Sequence, residues 1–264
     1  MKVATQGGGI FSFIPDAKIV GTNFVNCIAN AVTTLSLNAK LHLIPLGGST
    51  FAGDVGGGFS SEKYNGEIVV KLGNLQYGQT RDIFIPMVLS KEANYLAAIL
   101  EYEGYEEELD HKVSFIATDL NKNLDSVSTY IRNFVVSETL QILNDYGNGK
   151  TAKAKKSMDS LANMVEKCDT DAENEDPRLN GLLADLIGFG SKGGRMLKAL
   201  STDERFNRWG EHYLRSICRA HQLQLCTNNM DVGLAVYAGN IFKVLQELGG
   251  KIFLELPMIK SKLN

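Results

Sequence analysis

The chain has 264 residues, with 27 Lys+Arg against 30 Asp+Glu, a formal charge of −3, and 44% hydrophobic, 22% charged and 8% aromatic residues. That much apolar residue excludes a disordered chain, and the slightly acidic balance gives no broad attraction to DNA or RNA. No apolar run reaches the roughly 18–20 residues of a membrane helix, and the opening residues 1–9 read as no signal peptide.

After Gly7-Gly8-Gly9, the alternation Ile10-Phe11-Ser12-Phe13-Ile14 predicts a strand, broken by Pro15-Asp16. Asp16 is a candidate N-cap for a helix over residues 19–37, in which Phe24, Cys27, Ile28, Ala31, Val32 and Leu35 recur at three and four as one buried face. From residue 39 the period changes to two. Residues 40–46, 67–72, 81–89, 94–102 and 112–118 read as strands, and the glycine-rich turns between them suggest an antiparallel sandwich. Residues 103–108 form an acidic hairpin tip.

Beyond residue 122 the pattern is helical. Val127, Ile131, Phe134 and Val135 mark one face, Met158, Leu161 and Val165 another, and Tyr146-Gly-Asn-Gly149 reverses the chain between them. Residues 169–177 are an acidic loop. The longest helix of the next group lies near residues 202–225, followed by a short helix over 239–248 and a last strand over 251–256. The fold class is therefore α+β: an N-terminal strand–helix unit (1–37), an antiparallel β-sandwich-like domain (38–121) and a helical domain (122–264).

Tempting motifs fail on context. Gly188-Phe-Gly190-Ser-Lys-Gly193 satisfies G-x-G-x-x-G, but the preceding leucines 179, 182, 183 and 186 are spaced as a helix where a dinucleotide site needs a strand. Gly147-Asn-Gly149-Lys150-Thr151 ends like a phosphate-binding loop but has Asn144 where glycine is needed and a helix upstream. Asp125-Ser-Val-Ser128 places Val127 where a D-x-S-x-S metal motif needs serine, and reads as a helix cap. Among His42, His111, His212 and His221, His212 and His221 point to opposite sides of one helix, so they do not share a metal. His221 joins the apolar face of Phe206, Trp209, Tyr213 and Ile217 and reads as a buried, hydrogen-bonded core histidine. Cys27, Cys168, Cys218 and Cys226 form no C-x-x-C and read as reduced thiols, with Cys27 and Cys218 in apolar stretches where cysteine behaves as a small hydrophobe.

The block Phe206-Asn-Arg-Trp209-Gly210-Glu-His212-Tyr213-Leu214-Arg-Ser216-Ile-Cys-Arg219-Ala220-His221, continued by Gln224, Cys226, Asn228, Asp231, Gly233, Tyr237 and Gly239, resembles the C-terminal module of proteins that join a von Willebrand factor A domain to a Hint domain, a module called Vwaint. Residues 8–16 and 20–26 resemble the last strand and helix of that family's A domain, and residues 72–82 resemble a turn of the sandwich that follows it. Val232 departs from the pattern, which has proline there. The resemblance implies that the strand and loops bearing D-x-S-x-S with its partner Thr and Asp would precede Met1, and that no Hint segment follows within the sequence to Asn264.

That family, with no coherent catalytic set, predicts a non-catalytic protein-interaction or scaffold protein of the eukaryotic cytoplasm. It has no catalytic, cofactor or metal residues, and binds protein partners within a larger complex, not nucleic acid or membrane. The candidate interaction or structural motif is Phe206, Trp209, His212, Tyr213, Arg219, His221, Asp231 and Tyr237. Core packing is the simpler reading of its aromatic stripe, and a partner groove is the other. The alternatives are a nucleotide-binding enzyme or subunit using the glycine-rich loops, and an adaptor in a ubiquitin pathway.

Overall fold

The computed structural model describes residues 3–4, 7–91, 94–104, 110–117, 124–168, 176–188 and 194–256. Asp16 caps the first helical turn as expected, accepting from the Lys18 amide at 2.9 Å. Helix α1 (Val20–Val32) follows. It stops short of residue 37 because the Thr33 hydroxyl turns back onto the carbonyls of Ala29 and Asn30 and the chain then enters a strand.

The orientation of α1 reverses the sequence expectation. Phe24, Ile28 and Val32 are 61%, 57% and 62% exposed, and Cys27 is exposed with them. The buried face carries Gly21, Asn23, Val25, Asn26, Ala29 and Asn30. The reason is the surface beneath, a loop rich in polar groups. Asn30 donates to the Cys226 carbonyl and Asn26 to the Asn229 side chain, each at 3.0 Å. Buried backbone groups outside regular structure need such partners, and asparagine supplies them where leucine cannot.

The strands are β1 (Thr34–Pro45), β2 (Thr50–Phe51), β3 (Ser61–Tyr64), β4 (Glu67–Gln76), β5 (Met87–Val88), β6 (Leu96–Glu103) and β7 (Asp110–Ala117). Five form an antiparallel sheet in the order β3-β4-β1-β6-β7, while β2 and β5 pair as a separate ribbon. In β4 the buried Ile68, Val70 and Leu72 alternate with the exposed Lys71, the period-two pattern of a half-buried strand. The strand expected over residues 81–89 shrinks to β5. Ile83 and Ile85 pack irregularly onto the core of Leu43, Phe59, Ile68, Val70 and Leu72, so the second layer of the sandwich-like domain is a ribbon and loops.

Helices α2 (Leu124–Gly147) and α3 (Thr151–Cys168) form the expected hairpin, turned by Gly149 at φ 78°. Helix α4 (Pro177–Leu186) starts with proline at its first position and the Asp176 carboxylate accepting from the Arg178 amide. Helix α5 (Arg195–Leu200) leads through a turn at Asp203–Arg205 and a π-helical turn at Phe206–Gly210 into α6 (Glu211–Leu223). A 3₁₀ helix (Val232–Tyr237) precedes α7 (Asn240–Glu255).

Helix α7 runs straight through Gly249-Gly250, where a strand was expected beyond. Its apolar residues Leu245, Leu248 and Ile252 keep helical spacing, and Gly249 packs closely on α1: a Cβ there would sit 3.2 Å from Val25 Cγ1. Gly21 in turn makes room for the Phe253 ring.

The strand expected at residues 10–14 does not form. That segment is an unpaired strap on α6, where the Phe13 amide donates to Ser216 Oγ at 3.0 Å and the Gly9 carbonyl accepts from Arg219 at 3.1 and 3.2 Å. Side chains of α6 meet its backbone groups in place of a neighbouring strand. The acidic tip beyond Gly104, residues 169–175 and 189–193, and the side chains of His111, Asp125 and Ser126 lie outside the described residues. No described helix is long and apolar enough to cross a membrane.

Candidate functional site

Helix α6 is the hub of the molecule. It is buried along nearly its whole length, from Tyr213 and Leu214 through Ser216 to Leu223. Within it, His221 is 1% exposed, with Nε2 3.2 Å from Asp185 Oδ2 and Nδ1 2.9 Å from the Tyr237 hydroxyl. A carboxylate beside Nε2 places the ring proton there, so Nδ1 accepts from Tyr237. Tyr237 is itself hydrogen-bonded by Arg132 of α2. Asp185 Oδ1 accepts from the Gly233 amide at 3.2 Å. One chain of polar contacts thus ties α2, α4, α6 and the 3₁₀ helix together.

A second buried group adjoins the first. Asp231 accepts from Tyr213 at 3.0 Å, Asn228 at 3.0 Å and Arg195 at 3.2 Å, and the Arg195 guanidinium lies 5.1 Å above the Tyr213 ring. Burial pushes the Asp231 carboxyl above the usual range and the nearby Asp185 charge adds to it, against the opposing pull of Arg195. Burial beside Asp231 likewise holds the Tyr213 phenol well above its ordinary value.

The same helix fastens the sheet. Gln222 donates to the Gly57 carbonyl at 2.8 Å, while Gln224 bonds the amide and carboxylate of Asp82. Arg132 reaches the Asp82 carbonyl at 2.5 Å.

The sequence-derived motif therefore divides. Phe206, Tyr213, Arg219, His221, Asp231 and Tyr237 are buried, Trp209 is half-buried against Tyr213, and His212 alone is exposed. Its aromatic stripe faces the core. Phe206 stacks on Tyr146 with ring centroids 3.7 Å apart, and Phe13 of the strap meets Tyr213 edge-on at 6.5 Å. Sequence reasoning missed Asp185, although a lone carboxylate among Leu182, Leu183 and Leu186 needs a buried partner. It also missed Arg132 and Gln222.

The four cysteines separate in the same way. Burial pushes the Cys218 thiol up to about 12 and Cys226 up to about 11, whereas Cys27 and Cys168 are exposed. Only a thiolate alkylates readily. Iodoacetamide on the native chain at pH 8 will label Cys27 and Cys168 alone, and all four cysteines after unfolding. Mass spectrometry reads this directly, and native labelling of Cys218 would contradict the burial. Among the described residues, no group of three His, Cys, Asp or Glu gathers as metal ligands.

Two of the open surfaces among the described residues bear on binding. One is an apolar groove of about 440 Å³ between α1 and α7, walled by Phe24, Ile28 and Val32 on one side and Leu248, Ile252 and Leu256 on the other. The other is a cleft of about 470 Å³ where the sheet, the strap and α6 meet, lined by Lys40, Lys71, Glu103, Arg219 and Gln222 among others.

Comparison with known proteins bears on the α6 hub. Residues 176–248 match the family model Vwaint, described as VWA / Hh protein intein-like. No curated protein matches the chain. A solved structure, von Willebrand factor type A from Catenulispora acidiphila, aligns with a TM-score of 0.45 at 12% identity, covering 70% of this chain and 47% of that one. This chain thus spans less than half the length of that protein. The matched segment contains α4 to α6, both buried carboxylates and His221, so it is residues 176–248 that resemble the Vwaint family model.

Proposed function

We propose that the protein is a non-catalytic interaction protein whose docking surface is the outward apolar face of α1 and α7, and that this face pairs with a second copy of the chain. The observation that carries the reading is the inverted amphipathicity of α1, which turns Phe24, Ile28 and Val32 to solvent beside the equally exposed Leu248, Ile252, Phe253 and Leu256. Contiguous apolar patches of that size mark association surfaces. About half of the roughly 150–200 Å² that each of these side chains carries amounts to about 600 Å² per copy, approaching the about 800 Å² per partner of a standard interface.

The charges of α7 select the occupant. Lys243, Glu247, Lys251 and Glu255 alternate in sign every four residues, are all exposed, and make no ion pair among the described residues. A two-fold axis at Gly249 would lay a second α7 antiparallel, setting Lys243 opposite Glu255 and Glu247 opposite Lys251. Such an isologous contact uses one patch twice. The chemistry inside the molecule agrees with a non-catalytic role, since the Asp185, His221 and Tyr237 chain is sealed from solvent and cross-links helices.

Light scattering behind gel filtration tests it. The chain is expected at twice 28.9 kDa, and Ile28→Asp with Ile252→Asp is expected to return the monomer with unchanged circular dichroism. Lys251→Glu will weaken association and adding Glu247→Lys will restore it. A wild-type monomer at tens of micromolar would overturn the pairing.

A further inference from the structure

We infer that the cleft between the sheet, the strap and α6 binds a small molecule through an oxyanion group, a phosphate or a carboxylate. The argument rests on buried positive charge without a partner. Arg219 is 5% exposed, and its guanidinium bonds only neutral groups: the Gly9 carbonyl and the Gln222 side-chain oxygen, the latter at 2.7 Å. Arg81, behind the β4 wall of the cleft, likewise bonds only the carbonyls of Leu72 and Asn74, each at 3.0 Å, and Gln76. Among the described residues no carboxylate lies within ion-pair distance of either arginine. Desolvation disfavours the charge of both, and Arg219 and Arg132 repel that of Arg81, against the smaller support of the Asp82 carboxylate beyond ion-pair distance. Buried cations are ordinarily paired, because an isolated one is costly.

The cleft offers the missing partner a place. Its volume, about 470 Å³, lies within the usual range of ligand pockets, and it sits at the joint between two parts of the fold, where such pockets concentrate. Lys40 and Lys71, neighbours across β1 and β4, add charge at its wall. Among the described residues the opposing charge is modest. Glu103 at the mouth accepts from Asn38 at 3.0 Å, and Lys71 is drawn outward to Glu62 at 2.6 Å. Lys40 makes no ion pair among the described residues. The left-handed glycines Gly8 and Gly73 both line the cleft and face each other, an added Cβ on either reaching the opposite backbone at 3.6 Å. An arginine fork beside a lysine suits an oxyanion with two oxygens to offer.

The test is thermal unfolding and titration calorimetry of the full chain with inorganic phosphate and with citrate, at ionic strength matched by sodium chloride. At about a hundred times its dissociation constant, a bound anion is expected to raise Tm by roughly 5–10 °C. A rise with phosphate alone assigns a phosphate-bearing ligand, and with citrate alone a carboxylate. Lys40→Glu, at the wall and outside the core, is expected to stay folded and lose the rise. The inference is overturned if neither anion exceeds chloride, or if Lys40→Glu keeps the full response.

Discussion

Replacing His221 by leucine will cost about 3–5 kcal/mol of stability, because removing one member of a buried, hydrogen-bonded pair leaves a buried charge short of a partner and a hydroxyl proton without its acceptor. The groups left behind are Asp185, 4% exposed, and Tyr237, 7% exposed. Urea unfolding followed by circular dichroism will show a lower midpoint with an unchanged slope. Asp185→Asn alone will also destabilise. Combined with His221→Leu it will cost less than the sum by about 1–3 kcal/mol, since the two side chains share one interaction. Additive losses would mean that the pair does not act as a unit, and a His221→Leu cost below about 1 kcal/mol would mean that it is not sealed.

Gly233→Ala is expected to be at least as damaging, by a different route. The 3₁₀ helix lies against α4 so closely that a Cβ on Gly181 would stand 2.8 Å from Gly233 Cα, and one on Gly233 would overlap both the Asp185 carboxylate and the Gly181 carbonyl. Backbone cannot give way as a side-chain tip can. Separating the elements would break the Gly233 amide bond to Asp185 and, through it, the alignment of His221. A cost of roughly 3 kcal/mol or more follows, the upper end of overpacking effects. Gly147→Ala is the control. Nothing lies within 4 Å of its Cβ position at the end of α2, so it will be neutral or slightly stabilising. If both alanines behave alike, the close approach of α4 and the 3₁₀ helix is wrong.

Features set by local period were legible before the structure. The α2–α3 hairpin, the alternation of β4, the Asp16 cap and the buried, bonded His221 each follow from spacings within a few turns or pleats. The face of α1 was not. Apolar spacing at Phe24, Ile28 and Val32 shows that a stripe exists, but what lies beneath a helix is a tertiary fact. The competing signal was present, because Asn23, Asn26 and Asn30 keep the same helical spacing on the other side. The strap was misread because an alternating run is extended whether or not a neighbour pairs with it. Gly249-Gly250 did not stop the helix: Gly249 packs against Val25 of α1, while Gly250 faces open space. The oxyanion cleft draws Gly8, Lys40, Lys71, Glu103 and Arg219 from five separated segments, a constellation that no window of sequence brings together.

The strap also sets the order in which a nascent chain is completed. Gly9 and Phe13 find their partners at Arg219 and Ser216, 210 and 203 residues further on. At synthesis rates of about 5–20 residues per second, the strap waits roughly 10–40 s for the residues that hold it. Asn26 and Asn30 wait as long for the loop at Cys226 and Asn229. The strap is therefore made well before it can be fastened, and α1 emerges long before its asparagines have their loop partners to bond.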